Sequence, residues 1–265
     1  MMTEENRTDR HKLSQFYKGK GFEIAYNIIQ QFDDVNLNCE NVSIGSLSFM
    51  YHTLKSKDKT LVKDKWNLIF PKLDKIKRLV IKFGIDQELF NSLCKIPNLE
   101  ELFIHSSKIN DISQLIQIRD LKRLHIENFT KLTDVSILEK IELKQLKIEN
   151  CFQIENYEVI GKMNSLIGLS LNGYCWGPKN LKIESIKTFA NLKNLKHLDL
   201  TTTSLIDKNS INSILEIETL ERFDFSGNVR PEIVENIKLK HPNLKAGFFV
   251  DWDYKNKKIY EGKYW

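Results

Sequence analysis

An apolar-x-x-apolar-x-apolar pattern recurs along most of the chain. It reads Ile76-Leu79-Ile81, Leu99-Leu102-Ile104, Leu121-Leu124-Ile126, Leu143-Leu146-Ile148, Leu166-Leu169-Leu171, Leu195-Leu198-Leu200, Leu220-Phe223-Phe225 and Leu244-Gly247-Phe249. Gly247 alone breaks the rule, against an apolar background of 41%. Successive copies start 23, 22, 22, 23, 29, 25 and 24 residues apart. Alternate side chains of an extended segment point to opposite faces. The last two apolar positions of each copy therefore share one face of a short strand. A second apolar stretch follows, as in Ile112, Leu115 and Ile118, and carries the chain back. One such unit cannot bury its apolar side alone, so neighbours must stack.

The unit resembles the leucine-rich repeat, L-x-x-L-x-L-x-x-N/C-x-L. The resemblance covers about residues 76–250. The copy from Leu99 to Asp120 fits the 22-residue class, with Ser107 in place of the asparagine. The next copy has Phe129 at that place, the one from Leu143 has Cys151, and Asn228 is the single consensus asparagine. The array is irregular, with features of the 22-residue-repeat phosphatase partners and of cysteine-containing repeats. The resemblance implies an α/β solenoid, or horseshoe. A parallel sheet would line its concave side, with helices or irregular turns on the convex side. The 29-residue copy accommodates Gly173-Tyr174-Cys175-Trp176-Gly177-Pro178, a turn-rich bulge at the C-terminal edge of its strand.

Terminal units of a solenoid expose core and need caps. Residues 1–12 read as a flexible N-terminus and 13–75 as a helical cap. Phe22, Ala25, Ile28, Ile29 and Phe32 predict a helix over 21–32. Val35, Leu37 and Cys39 alternate as a first strand would. Leu61, Val62, Trp66, Ile69 and Phe70 predict a second helix, ended by Pro71. About eight repeats fill 76–250. Residues 251–265 alternate around a polar turn and read as an aromatic β-hairpin cap.

The remaining composition narrows the function. The formal net charge is +5, and 28% of residues are charged. The first residues have no apolar core of the secretory type, and no apolar run approaches a membrane span, so the expected location is the cytoplasm. Cys39, Cys94, Cys151 and Cys175 lack metal-ligand spacing and read as reduced thiols. Motifs for nucleotide binding, metalloprotease or hydrolase chemistry are absent from the sequence. The expectation is a non-enzymatic chain with no catalytic residues, cofactor or metal. His105, His125, Glu127 and Glu149 gather on adjacent predicted strands; on a solvated sheet such a group reads as a polar binding surface.

Counting each copy's first apolar residue as position one, positions 3, 5 and 7 face the concave side. They carry the cations Arg78, Lys82, Arg123, Lys147 and Arg222 and the anions Glu101, Glu127, Glu149, Asp199 and Asp224, five of each. A nucleic-acid track would be basic; this face is balanced, which makes nucleic acid the least favoured partner and another protein the expected one. The expected contacts are Phe103, His105, Arg123, His125, Glu127, Lys147, Glu149, Asp199, Arg222 and Asp224 on the face, with Tyr174, Trp176, Phe248 and Trp252 as aromatic anchors toward the other end. Such a module would act by occlusion or scaffolding. An immunity-type inhibitor of a toxin is one concrete form, and an adaptor or regulatory subunit of a larger complex is another.

Overall fold

The chain is described by a computed structural model over residues 27–29, 38–44, 55–81, 85–105, 108–174, 179–247, 250, 252–253 and 258–259. Its main feature is one parallel sheet. Strands β1 (Asn27–Ile29), β2 (Asn41–Ile44), β3 (Arg78–Ile81), β4 (Glu101–His105), β5 (Arg123–Glu127), β6 (Gln145–Glu149) and β7 (Gly168–Asn172) follow one another in space as in sequence. Beyond β7, a short strand β8 (Leu181–Ile183) lies outside this sheet. Strand β9 (His197–Asp199) continues the main sheet, β10 (Thr203–Leu205) again lies outside, and β11 (Arg222–Asp224) is its ninth strand among the described residues.

The register is the one the apolar pattern requires. Leu79, Leu102, Leu124, Leu146, Leu169, Leu198 and Phe223 stand opposite one another across β3 to β11. All are buried, as are Ile81, Ile104, Ile126, Ile148 and Leu171 two residues on. Parallel strands buried on one face by a stacked column of branched residues cannot slip by one position without turning that column outward.

A backbone latch repeats at the start of each strand. Two successive N–H groups of one unit donate to a single carbonyl of the preceding unit. Lys122 and Arg123 donate to the Glu100 oxygen at 2.8 and 3.1 Å, and Lys144 and Gln145 to the Lys122 oxygen at 2.8 and 3.1 Å. The latch runs from Lys77 and Arg78, which donate to Glu40, through to Lys245 and Ala246, which donate to Glu221. Ala246 also bridges Arg222 in parallel fashion, so the last predicted copy continues the sheet.

The return segments are mostly short 3-10 helices: Ser113–Gln117, Ser136–Lys140, Tyr157–Lys162, Lys187–Asn191 and Lys208–Glu216. Tight 3-10 turns suit units of 22–25 residues, which leave little chain for a longer return. Full helices form at the two ends of this series. Helix α1 (Ser56–Ile69) precedes β3, α2 (Gln87–Leu93) follows it, and α3 (Pro231–Lys240) follows β11. Asp86 caps α2 by accepting from the Leu89 N–H at 3.0 Å, and Pro231 opens α3.

The N-terminal part departs from expectation. Helix α1 is the predicted second helix and buries Trp66, with Phe70 buried in the 3-10 turn Phe70–Lys72 that follows, but Leu61, assigned to its inner stripe, is exposed. The helix expected over 21–32 is contradicted at 27–29, where the chain is strand β1; the rest of that span lies outside the described residues. Of the strand expected around Val35 to Cys39, residues 35–37 lie outside the described residues and Cys39 is in no strand; strand β2 follows at 41–44. Its physical basis is a further copy of the motif, Cys39-x-x-Val42-x-Ile44, whose Val42 and Ile44 pair with Leu79 and Ile81. The sheet therefore starts before Ile76.

The 29-residue copy also differs. Its extra chain forms β8, which pairs in parallel with β10 as a second, two-stranded sheet. Gly173 makes the entry possible: a Cβ there would lie 2.5 Å from the Lys179 oxygen and 2.7 Å from the Leu181 nitrogen. Strands β12 (Trp252–Asp253) and β13 (Lys258–Ile259) pair antiparallel; the rest of the expected hairpin cap lies outside the described residues.

Candidate functional site: the concave sheet face

Residues between the buried leucines point to the other face of the sheet and form three columns. The first runs Asn41, Arg78, Glu101, Arg123, Gln145, Gly168, His197 and Arg222. The second runs Ser43, Val80, Phe103, His125, Lys147, Ser170, Asp199 and Asp224. The third, over the described residues, runs His105, Glu127, Glu149 and Asn172.

Charges along these columns neutralise one another. Glu101 is buried and paired on one side with Arg78 (Nε to Oε1, 3.0 Å) and on the other with Arg123. Arg78 also donates to Asn41 Oδ1 at 3.0 Å. His105 Nδ1 lies 2.5 Å from Glu127 Oε2, and Lys147 Nζ lies 2.8 Å from Glu149 Oε2. Arg222 makes a two-pronged pair with Asp224, at 2.6 and 3.1 Å. Asp199 accepts from Ser170 Oγ, Asn172 Nδ2 and the Thr201 N–H and hydroxyl, at 2.7–3.0 Å. The like-charged neighbours Glu127 and Glu149 are thus each matched within the face.

The middle column is more enclosed than a solvated sheet would be. His125 is fully buried and Phe103 is 4% exposed. Their rings lie 4.6 Å apart at 33°, and the imidazole Nε2 lies 3.5 Å from Glu149 Oε2. This corrects two expectations. Phe103 and His125 shape the face from within and offer it little surface, and the face is solvated at its margins and not at its centre. Burial, with a smaller contribution from Lys147, pushes the His125 pKa down to about 3 against the pull of Glu149. Burial works to raise the Glu149 carboxyl, but the His125 N–H and the Lys147 ammonium outweigh it and bring the pKa to about 2. At neutral pH the ring is neutral and the carboxylate ionised.

Arg123, with 42% of its side chain exposed, is the expected contact that most clearly reaches solvent on this face. Tyr174 is also 42% exposed, just beyond β7 at the strand's C-terminal edge. Trp176 and Phe248 lie outside the described residues, and of Trp252 only the backbone is described. Arg78 and Glu101 were placed on the face by the pattern but not among the expected contacts; the Arg-Glu-Arg alternation in the first column is the signal that marks them.

Cys151, at the asparagine position of its repeat, shows how the units are tied together at the strand ends. Its thiol accepts from the Phe129 N–H of the preceding unit at 3.4 Å and donates to the Glu149 carbonyl at 3.3 Å. Burial pushes its pKa up to about 12, so it stays a protonated, structural thiol.

Stacked units of 22–25 residues, one in-register parallel strand each and a short helical return decide the architecture. The fold is a leucine-rich-repeat solenoid. No protein-family model matches this solenoid's sequence, and no curated protein matches it. Solved structures do resemble it. Internalin C2 from Listeria monocytogenes is 18% identical, over 67% of this chain and 73% of its own, with a TM-score of 0.49. Internalin F from the same organism is 18% identical, over 70% and 82%, with a TM-score of 0.27. TLR13, in a structure of its complex with ssRNA13, is 18% identical over 78% of this chain and 32% of its own, with a TM-score of 0.48. Among the described residues no helix is long and apolar enough to cross a membrane.

Proposed function

We propose that this solenoid is a non-enzymatic binding module that recognises another protein through its concave face, acting by occlusion or scaffolding. The observation that carries the reading is the charge mosaic of that face. Acidic and basic groups lie in fixed register, alternating as Arg78, Glu101 and Arg123 in the first column and elsewhere matched to basic or polar neighbours, around a centre of Phe103 and buried His125. Such a surface presents no continuous cationic track for a phosphate backbone. It offers paired charges and a partly exposed arginine, Arg123, that a protein of complementary pattern can engage without a large desolvation cost. Arginine and tyrosine are the residue types that carry much of the energy in protein interfaces, and Arg123 and Tyr174 are the accessible examples here.

Capture from a nuclease-treated lysate, with the immobilised full chain as bait, tests the class of partner. The expected result is a discrete protein retained at moderate salt, and retained less by an Arg123→Ala, Arg222→Ala double variant. Recovery from untreated lysate of RNA or DNA, lost steeply with salt and unaccompanied by protein, would overturn the reading.

A further inference from the structure

Two carboxylates stand side by side in the third column. Glu127 and Glu149 are register partners on β5 and β6, with only 13% and 12% of their side chains exposed. Adjacent strands are about 4.8 Å apart, and like charges placed directly opposite repel. Nitrogen atoms answer them from two sides: His105 Nδ1 at Glu127, and His125 Nε2 with Lys147 Nζ at Glu149. One donor atom each from His125, Glu127 and Glu149 lies within 4.8 Å of the others. The His125 ring is fully buried, tilted at 33° against Phe103, with Nε2 toward the Glu149 carboxylate.

We propose that His125, Glu127 and Glu149 form a three-donor site for a divalent transition-metal ion of the zinc class on the concave face, its fourth position open to water, with His105 supporting Glu127 from outside the donor set. Zinc is held by four nitrogen and oxygen donors at about 2.0–2.2 Å in tetrahedral array, which sets donor–donor edges of about 3.4 Å. The His125–Glu149 edge of 3.5 Å already has that length. Lys147 must leave Glu149, while His105 can keep its 2.5 Å contact with Glu127. Imidazole donors select zinc, nickel or copper over magnesium or calcium, which prefer oxygen cages. All three donors sit on β5 and β6, strands locked by the sheet register, so the site is held by rigid elements and not by loops.

The test uses the tag-free full chain, stripped with chelator, titrated with zinc chloride in a calorimeter and with cobalt(II) in a spectrophotometer. The expected result is one ion per chain, with intense visible cobalt bands of a tetrahedral site that zinc abolishes. Glu127→Gln and Glu149→Gln, nearly isosteric, should each weaken binding by about a hundredfold or more. Lys147→Met removes the competing ammonium and should tighten binding by about tenfold, an effect no purely structural role of that lysine produces. No zinc uptake by the wild-type chain, affinity unchanged in both Gln variants, or weaker binding by Lys147→Met would each overturn the site. The readout needs no protein partner, so its failure leaves the protein-binding reading standing.

Discussion

His125 is buried in a face where polar side chains are normally wet, and this has a thermodynamic consequence. Its pKa in the folded chain, about 3, lies below the ordinary 6.5. Folding therefore favours the neutral ring. The stability this confers is fully present above pH 6.5 and is lost as pH falls from 6.5 toward 3. Glu149, held at about 2 against an ordinary 4.5, contributes above pH 4.5 and loses that contribution as pH falls further. The two windows follow one another. Urea unfolding in the presence of chelator should show stability declining from pH 6.5 to 4.5, before the carboxylate window opens. His125→Phe, which preserves a ring beside Phe103, should flatten that decline; part of it remains because burial also lowers the pKa of His241. An unchanged slope would mean that His125 does not carry it. The enclosure of His125 was not legible in the sequence. Alternation assigns a residue to a face but does not say how far long neighbours on adjacent strands fold over it.

At the scale of the element, the repeat pattern dictated strand positions and register because its physical requirement is local and strict. A branched apolar pair, two residues apart, must face inward in every unit. What it left out were elements with weaker signals. Strand β2 uses Cys39, Val42 and Ile44, a copy separated from its successor by 37 residues and therefore outside the regular spacing. Strands β8 and β10 are three residues each and depend on a partner one unit away, so nothing within either segment announces them. Their junction depends on Gly173, whose N–H donates to the Thr202 oxygen at 3.1 Å and whose carbonyl accepts from the Thr202 hydroxyl at 3.1 Å. A methyl group there would collide with backbone atoms, which cannot swing aside. Gly173→Ala should cost about 1–3 kcal/mol, the range of overpacking in a tight site. Chemical denaturation reads this directly, and a loss under about 0.5 kcal/mol, the level of an ordinary surface change, would show that the junction relaxes freely.

For the whole molecule, the sheet converts sequence distance into a surface. Residues 22–37 positions apart become neighbours, so side chains from β2 to β11 meet on one face although no short motif contains them. The sequence pattern placed His105, Arg123, Glu127, Lys147, Glu149, Asp199, Arg222 and Asp224 on that face, and there they stand. It could not show that their charges close on one another, because pairing depends on side-chain reach across strands. The central claim is that a protein partner sits on this face and not on the helical returns. The direct measurement is the affinity of a captured partner for four single variants by titration calorimetry. Two are concave, Arg123→Ala and Arg222→Ala; two lie in exposed 3-10 returns, Lys140→Ala and Lys208→Ala. The concave changes are expected to weaken binding by about tenfold or more, equivalent to about 1.4 kcal/mol each, with the return-segment changes near neutral. Loss of affinity from the return-segment variants, with both concave variants binding as tightly as the wild type, would contradict the account.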